Sequence, residues 1–195
     1  VWILALSQGI LASYVEQSPS IVSISEGHSS TLRCTLKDTA YRYMSWYRQK
    51  PDQAIEALFY SSGKDFVTNY TSEPYQAKRE DETLFSLELR EAAPSHTAVY
   101  YCACSRPGGA FTASIYYFGA GTKLTVLEHP VKFPKVTILK PSPAELREKR
   151  KATVVCLVTD FYPDNIQIHW YVNGEKQPEN DAKIQSDPES IIQED

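Results

Sequence analysis

The chain has 195 residues, enough for one domain of ordinary size and part of another. Hydrophobic residues make up 42% and charged residues 23%, and the net charge is −4, so no bulk electrostatic drive points to nucleic acid or to an anionic membrane surface. Four Cys without a Cys-x-x-Cys pair argue against zinc, and 13 Tyr amid many short alternating runs favour an all-β chain.

Residues 1–13 (VWILALSQGILAS) carry no charge and are too short to cross a bilayer. They read as the end of a secretory signal peptide, with cleavage after Gly9 or near Ala12 and Ser13. An additional first strand is the alternative. Ile21, Val22 and Ile24 predict a first strand, and residues 31–36 a second with Leu32, Cys34 and Leu36 on one face. Residues 38–43 (DTAYRY) predict a loop. Residues 44–49 predict a strand with Trp46 inward and Tyr47 and Gln49 on the opposite face. A short strand over 57–60 and a turn over 61–65 (SSGKD) follow. Asn69-Tyr70-Thr71 is a glycosylation sequon. Glu80-Asp81-Glu82 reads as a solvated turn, and the strand after it points Phe85, Leu87 and Leu89 inward.

Residues 98–127 are the most patterned stretch. Ala98, Tyr100 and Cys102 share one face, with Val99, Tyr101 and Ala103 on the other. A long loop with Gly108-Gly109 at its middle follows. Phe118-Gly119-Ala120-Gly121 then opens a strand in which Thr122, Leu124 and Val126 share a face. Glycine suits a bulged strand start, where a side chain would clash or forbid positive φ.

Cys34, Trp46 and Cys102, with Tyr100 two residues before the second Cys, resemble the signature of an immunoglobulin sandwich. The resemblance implies a Cys34–Cys102 bridge between sheets, Trp46 packed on it, and Tyr100 closing a tyrosine corner. A bridge closing so long a loop is worth about 4 kcal/mol in a chain-entropy estimate, and it implies an oxidising compartment. Residues 14–127 resemble a rearranged variable domain of an antigen receptor, with 118–127 similar to a joining segment and the loop before it to the third hypervariable loop. That resemblance makes Asp38, Tyr41, Arg42 and Tyr43 a first antigen-binding loop. Ser61, Ser62, Gly63 and Lys64 make a second, and Arg106, Gly108, Gly109, Phe111, Tyr116 and Tyr117 a third. It makes Tyr47, Gln49, Leu58, Tyr101 and Phe118 the surface that packs on a partner domain. The family usually places an acidic residue six before the second Cys. His96 stands there instead, with Arg79 a candidate for the other half of a salt bridge. Cys104 is compatible with a free thiol, a bridge within the loop, or a product of junctional diversity, and the free thiol is favoured.

Residues 128–134 read as an elbow. Val136 and Ile138 begin a new sheet, and Ser142-Pro143-Ala144-Glu145 predicts a helix start with Ser at the N-cap. Val154, Cys156 and Val158 alternate, as do Ile166, Ile168, Trp170 and Val172, before the turn Asn173-Gly174. Cys156 and Trp170 repeat the Cys…Trp spacing, so residues 135–195 resemble a truncated constant-type immunoglobulin domain with Trp170 as its core tryptophan. Asp160-Phe161-Tyr162-Pro163 resembles that family's turn, with a cis bond before Pro163. No Cys follows Cys156, which leaves it unpaired and makes this half an expected fragment. Residues 132–134, 149–157 and 170–174 look most like a T-cell receptor β constant domain.

The fold class expected is all-β: one complete variable-type sandwich and an incomplete constant-type one. The function implied is the antigen-recognition chain of a T-cell receptor, paired with an α chain. It would bind peptide on a major-histocompatibility molecule and reach signalling subunits through a membrane segment outside these residues, at the plasma membrane. The alternatives are a lambda-type light chain and an adhesion module, the latter disfavoured by residues 118–127. Enzyme chemistry finds no support: His28, His96, His129 and His169 are scattered without a nucleophile motif. No cofactor or metal is expected.

Overall fold

The computed structural model describes residues 14–106, 115–148 and 152–178. The leader-like residues 1–13 and the loop positions Gly108, Gly109 and Phe111 lie outside these. The chain divides into two units, Val1–Glu128 and His129–Asp195.

The first unit is a two-sheet sandwich. One sheet orders β1 (Val15–Ser18), β3 (Ser30–Leu36), β8 (Leu84–Leu89) and β7 (Tyr75–Arg79). The other runs β2 (Ile21–Ser25), β11 (Thr122–Leu127), β9 (Ala98–Ser105), β4 (Tyr43–Gln49), β5 (Glu56–Gly63) and β6 (Phe66–Asn69), with β10 (Tyr116–Phe118) also on β9. β2 runs parallel to β11, and β9 is antiparallel to β4, β10 and β11. Four strands were not expected from the alternation: β1, β6, β7 and β10. All are short, and β6 is exposed at every position.

Alternating apolar residues from both sheets meet in one core. Trp46, Phe85, Met44, Tyr100, Leu87 and Leu124 are buried around Cys34 and Cys102. The two cysteines are bonded, 68 residues apart in sequence, with Cα atoms 6.2 Å apart. Trp46 pairs with Cys102 on β4–β9, and its ring centroid lies 6.4 Å from that of Phe85. Gln17 on β1 ties the sheets together. Its amide donates to Tyr100 O at 2.7 Å and to Thr122 Oγ1 at 3.0 Å, and its carbonyl accepts from Cys102 N at 3.0 Å.

A buried polar cluster sits at one end of the core. Tyr100 donates to His96 O and meets the Tyr75 hydroxyl, both at 2.8 Å. Arg48, 2% exposed, donates to Tyr75 Oη at 2.8 Å, to Glu73 Oε1 at 2.9 Å and to Glu56 Oε1 at 2.7 Å. Burial opposes the charge on Arg48, yet the Glu73 hydrogen bond and the other partners hold its pKa above the usual value. Arg79 does not pair with His96, so the family's salt bridge, put in doubt by His96 at the acidic position, does not form between these two residues. Arg79 donates instead to Asp81 O, Glu82 O and Arg42 O, pinning the β7–β8 turn. His96 finds Glu73, with Nε2 3.3 Å from Oε2.

The second unit holds β12 (Lys135–Leu139) paired with β13 (Val155–Thr159), helix α1 (Pro143–Glu148), and a hairpin of β14 (Tyr171–Val172) and β15 (Glu175–Lys176). Ser142 Oγ accepts from Glu145 N at 3.1 Å, capping α1. Asn173 and Gly174 both take positive φ, as a tight two-residue hairpin requires. The bond before Pro163 is cis. Two expectations fail here. Residues 166–170 form no strand, and Trp170 is half-buried rather than a core residue. β12 and β13 pair only with each other among the described residues, and Val136, Ile138, Val155 and Leu157, on both of their faces, are exposed, so they offer Trp170 no buried core.

The His96 geometry predicts an acid response. Ala93 N–H donates to Nδ1 at 2.9 Å, so Nδ1 must be unprotonated and Nε2 carries the hydrogen facing Glu73. Burial pushes the imidazole pKa down, with Arg48 and Lys50 adding to the effect and Glu73 opposing it. A depressed His pKa stabilises fully above the ordinary imidazole value of about 6.5, and that stability is lost as pH falls below it towards the folded value. The melting temperature of the full chain should therefore drop between about pH 7.5 and about pH 5.5. The drop should be smaller in His96→Gln; an identical slope in both would contradict this account.

Candidate functional site: an aromatic sheet face and a loop end

Strand alternation sends one set of side chains out of the larger sheet, away from the core. On β4 these are Tyr43, Ser45, Tyr47 and Gln49, and on β9 they are Tyr101, Ala103 and Ser105. Cross-strand partners share a face, so Tyr60 opposite Ser45 joins them, as do Tyr116 opposite Ser105 and Phe118 opposite Ala103. The rings touch. Phe118 lies 5.6 Å from Tyr47 and 6.5 Å from Tyr101, and Tyr43 lies 5.8 Å from Tyr60. Phe118 remains 49% exposed and Tyr116 45% exposed, while Ala103 and Ser45 are buried. Burial raises the pKa of Tyr47 and of Tyr60, so both phenols are neutral at physiological pH. Gln49 donates to Gln53 O at 3.3 Å.

Two glycines let this face form. Gly121 has φ +91°, and a Cβ there would lie 2.9 Å from the Tyr101 ring. A Cβ on Gly119 would lie 2.8 Å from Gln17 Oε1. Gly119 N–H donates to Cys102 O at 2.8 Å, so this turn is tied directly to the bridging cysteine.

The face corrects the sequence reading in three places. Leu58 does not belong to it. A bulge in the β4–β5 pairing, between Trp46 and Tyr47, breaks the alternation, so Leu58 and Phe59 both enter the core and Leu58 is 1% exposed. Ser61 is not a loop residue: it is a fully buried position of β5 whose hydroxyl donates to Gly63 O at 2.9 Å. Ser62 and Gly63 also lie in β5, leaving Lys64 and Asp65 as the turn. Tyr43 and Tyr116 are strand residues of the outer face rather than loop-tip residues. Tyr60, which the sequence reading did not place on this face, belongs to it.

At one end of the sandwich Tyr41 of the β3–β4 connection, Arg106 after β9 and Tyr117 of β10 meet in an aromatic–arginine cluster. Tyr41 and Tyr117 stack with centroids 5.2 Å apart, and Tyr14 sits edge-on to them at 5.6 and 4.9 Å. The Arg106 guanidinium lies 5.0 Å above the Tyr41 ring and donates to its hydroxyl at 3.2 Å. That hydrogen bond lowers the Tyr41 pKa, while Tyr117, hydrogen-bonded to Tyr41, is raised. Arg42 donates to Thr39 O at 2.6 Å, and Asp38 takes φ +45° at the loop entry. Cys104 is unbonded, buried opposite Met44 and Tyr117, and burial pushes its thiol pKa up. Among the described residues no cluster could hold a metal ion, and no helix is long and apolar enough to cross a membrane.

The sequence profile of the immunoglobulin V-set domain matches residues 17–127, and that of the immunoglobulin C1-set domain matches residues 136–190. A viral T-cell receptor beta chain-like protein of feline leukemia virus is 32% identical over 192 residues. Those cover 94% of this chain and 57% of that protein. A T-cell receptor alpha chain V region of mouse is 37% identical over 114 residues, covering 57% of this chain and 82% of that one. A solved structure described as a chicken TCR superposes with a TM-score of 0.76 at 36% identity, covering 92% of this chain and 79% of that chain. The chain belongs to the T-cell receptor family of immunoglobulin-fold proteins. The receptor chain thus carries a V-set sandwich followed by a C1-set unit, and it spans a little over half the length of the viral relative. The outer aromatic face and the loop cluster are both features of its V-set unit.

Leu58 and Phe118 should separate core from surface. Leu58→Ala should destabilise the V-set unit by about 2–5 kcal/mol in denaturant unfolding. Phe118→Ala should change it by about 1 kcal/mol or less. Equal costs would mean that Phe118 is a core residue.

Proposed function

We propose that this is the β-type chain of an antigen receptor, paired through the outer face of its V-set unit with an α-type variable domain. The observation that carries the reading is the layer of Tyr47, Tyr101, Tyr116 and Phe118 on one sheet face, aromatic and partly exposed. A contiguous patch of that kind on a soluble sandwich marks an interface. The β assignment is supported by the viral β-chain-like relative, whose similarity runs through both units. The V-set unit alone resembles α and β regions alike.

The paired receptor binds a peptide presented by a major-histocompatibility molecule through its loop end. Tyr41, Tyr117 and Arg106 supply rigid, amphipathic contact area, which is the chemistry paratopes favour. Pre-stacking limits the entropy lost on binding, because the rings are held before the ligand arrives. The chain acts by binding and carries out no catalysis. It works at the plasma membrane, with signalling through associated subunits. The second reading, a lambda-type light chain with a heavy-chain partner, draws on the similarity of residues 118–127 to a light-chain joining segment.

Co-expression tests the partner. The full chain should reach the cell surface with an α-type receptor chain and not with an immunoglobulin heavy chain. Phe118→Asp should abolish that co-assembly, since it would bury an unpaired carboxylate. Surface pairing with the heavy chain alone would support the light-chain reading instead. In the assembled receptor, Arg106→Ala should weaken ligand binding about ten-fold or more without reducing surface level. A loss of surface level in Arg106→Ala would show that the residue supports folding rather than recognition.

A further inference from the structure

β6 is the last strand of the larger sheet and, among the described residues, hydrogen-bonds as a strand only to β5; β7 of the other sheet approaches its far side without pairing, so that edge is open to strand pairing. Its neighbourhood is apolar: Phe66 is 71% exposed and Tyr70 61% exposed. An open edge with exposed aromatics is a template for unwanted strand pairing, and natural β-proteins cover or blunt such edges. Asn69 closes this strand and is itself exposed. It is the asparagine of the one Asn-x-Ser/Thr tripeptide in these 195 residues.

The local geometry presents that side chain outward. Thr71 N–H donates to Asn69 Oδ1 at 2.8 Å, which identifies the oxygen end of the amide because only an acceptor can stand there. The other end, Nδ2, is thereby turned to solvent. Tyr70 N–H is held by Leu58 O at 2.9 Å and Thr71 Oγ1 accepts from Glu73 N at 3.1 Å, so the tripeptide is anchored through groups other than Nδ2. Asn69 pairs with Phe59, whose side chain enters the core side of the sheet, whereas Thr68 pairs with outward-facing Tyr60. Asn69 therefore projects from the side opposite Tyr47 and Phe118. A bulky group on Nδ2 would stand at the open edge without touching the aromatic face.

We propose that Asn69 carries an N-linked oligosaccharide that covers the open edge of β6 and leaves the pairing face clear. The inference rests on the secretory passage that the proposed function requires. In the transfer, Asn69 Nδ2 attacks the anomeric carbon of a lipid-pyrophosphate-linked oligosaccharide. The carbon–oxygen bond to pyrophosphate breaks, the Nδ2–carbon bond forms, one amide proton is lost, and the lipid pyrophosphate leaves.

The test expresses the full chain behind a heterologous secretion leader in eukaryotic cells, so that entry to the lumen does not depend on the native leader. Formation of the Cys34–Cys102 bond reports that entry. Peptide:N-glycosidase should increase the gel mobility of the chain and convert Asn69 to Asp in the peptide that contains it. Asn69→Gln and Thr71→Ala should abolish the shift, and Thr71→Ser should keep it. Unmodified Asn69 in a chain whose Cys34–Cys102 bond has formed would overturn the proposal. Failure to pair with an α-type chain would count against the proposed function and leave this result intact.

Discussion

Strand β9 carries Cys102 on its inner face and Tyr101 on its outer face, and the rest of the V-set unit is registered against it. The bond from Cys102 to Cys34 fixes β9 to the opposite sheet. Cys102 also accepts from Gly119 N–H and donates its own N–H to Gln17. The covalent bond and the two backbone hydrogen bonds of one residue therefore hold the core, the turn before β11 and the first strand together. Because side chains alternate on a strand, a one-residue slip of β9 would move Tyr101 off the outer face as it moved Cys102 out of the core.

This coupling explains how a sandwich can display two different surfaces. The outer face is aromatic because β4, β9 and β10 present Tyr and Phe at cross-strand positions, with small Ser45 and Ala103 between them. The loop end is formed where the same strands stop. Tyr117 is the inward neighbour of Phe118, and it stacks on Tyr41 instead of joining the outer face. One strand of three residues thus contributes to both surfaces, and a partner on one face leaves the other available.

Much of this was readable from alternation. Leu32, Cys34, Trp46, Phe85, Leu87, Tyr100, Cys102 and Leu124 fall on inward positions of regular strands, where period two identifies facing directly. What alternation missed has local causes. Leu58 is the extra residue of a bulge, which turns it inward beside Phe59 without leaving a mark in hydrophobicity. β6 is only four residues long and exposed throughout, and β7 carries only Tyr75 and Ala77 as apolar residues, so neither alternates clearly, and their pairing with β5 and β8 comes from long-range contacts. Glu73 could not be matched to His96 or Arg48 from sequence, because the three lie on separate segments that only the fold brings together. Trp170 shows the opposite limit: it lies in a patterned segment, yet among the described residues it is half-buried and β12 and β13 expose their apolar side chains.

Side-chain footprinting by hydroxyl radicals on the assembled receptor tests the central claim most directly, because it reads the outer aromatic face against the open β6 edge within one molecule. The account predicts slow oxidation at Tyr47, Tyr101 and Phe118, although Phe118 is 49% exposed in the chain alone, and, in receptor whose Asn69 glycan has been removed enzymatically, fast oxidation at Phe66, which is 71% exposed. Fast oxidation of Phe118 in the assembled receptor would contradict the assignment of that face as the pairing surface.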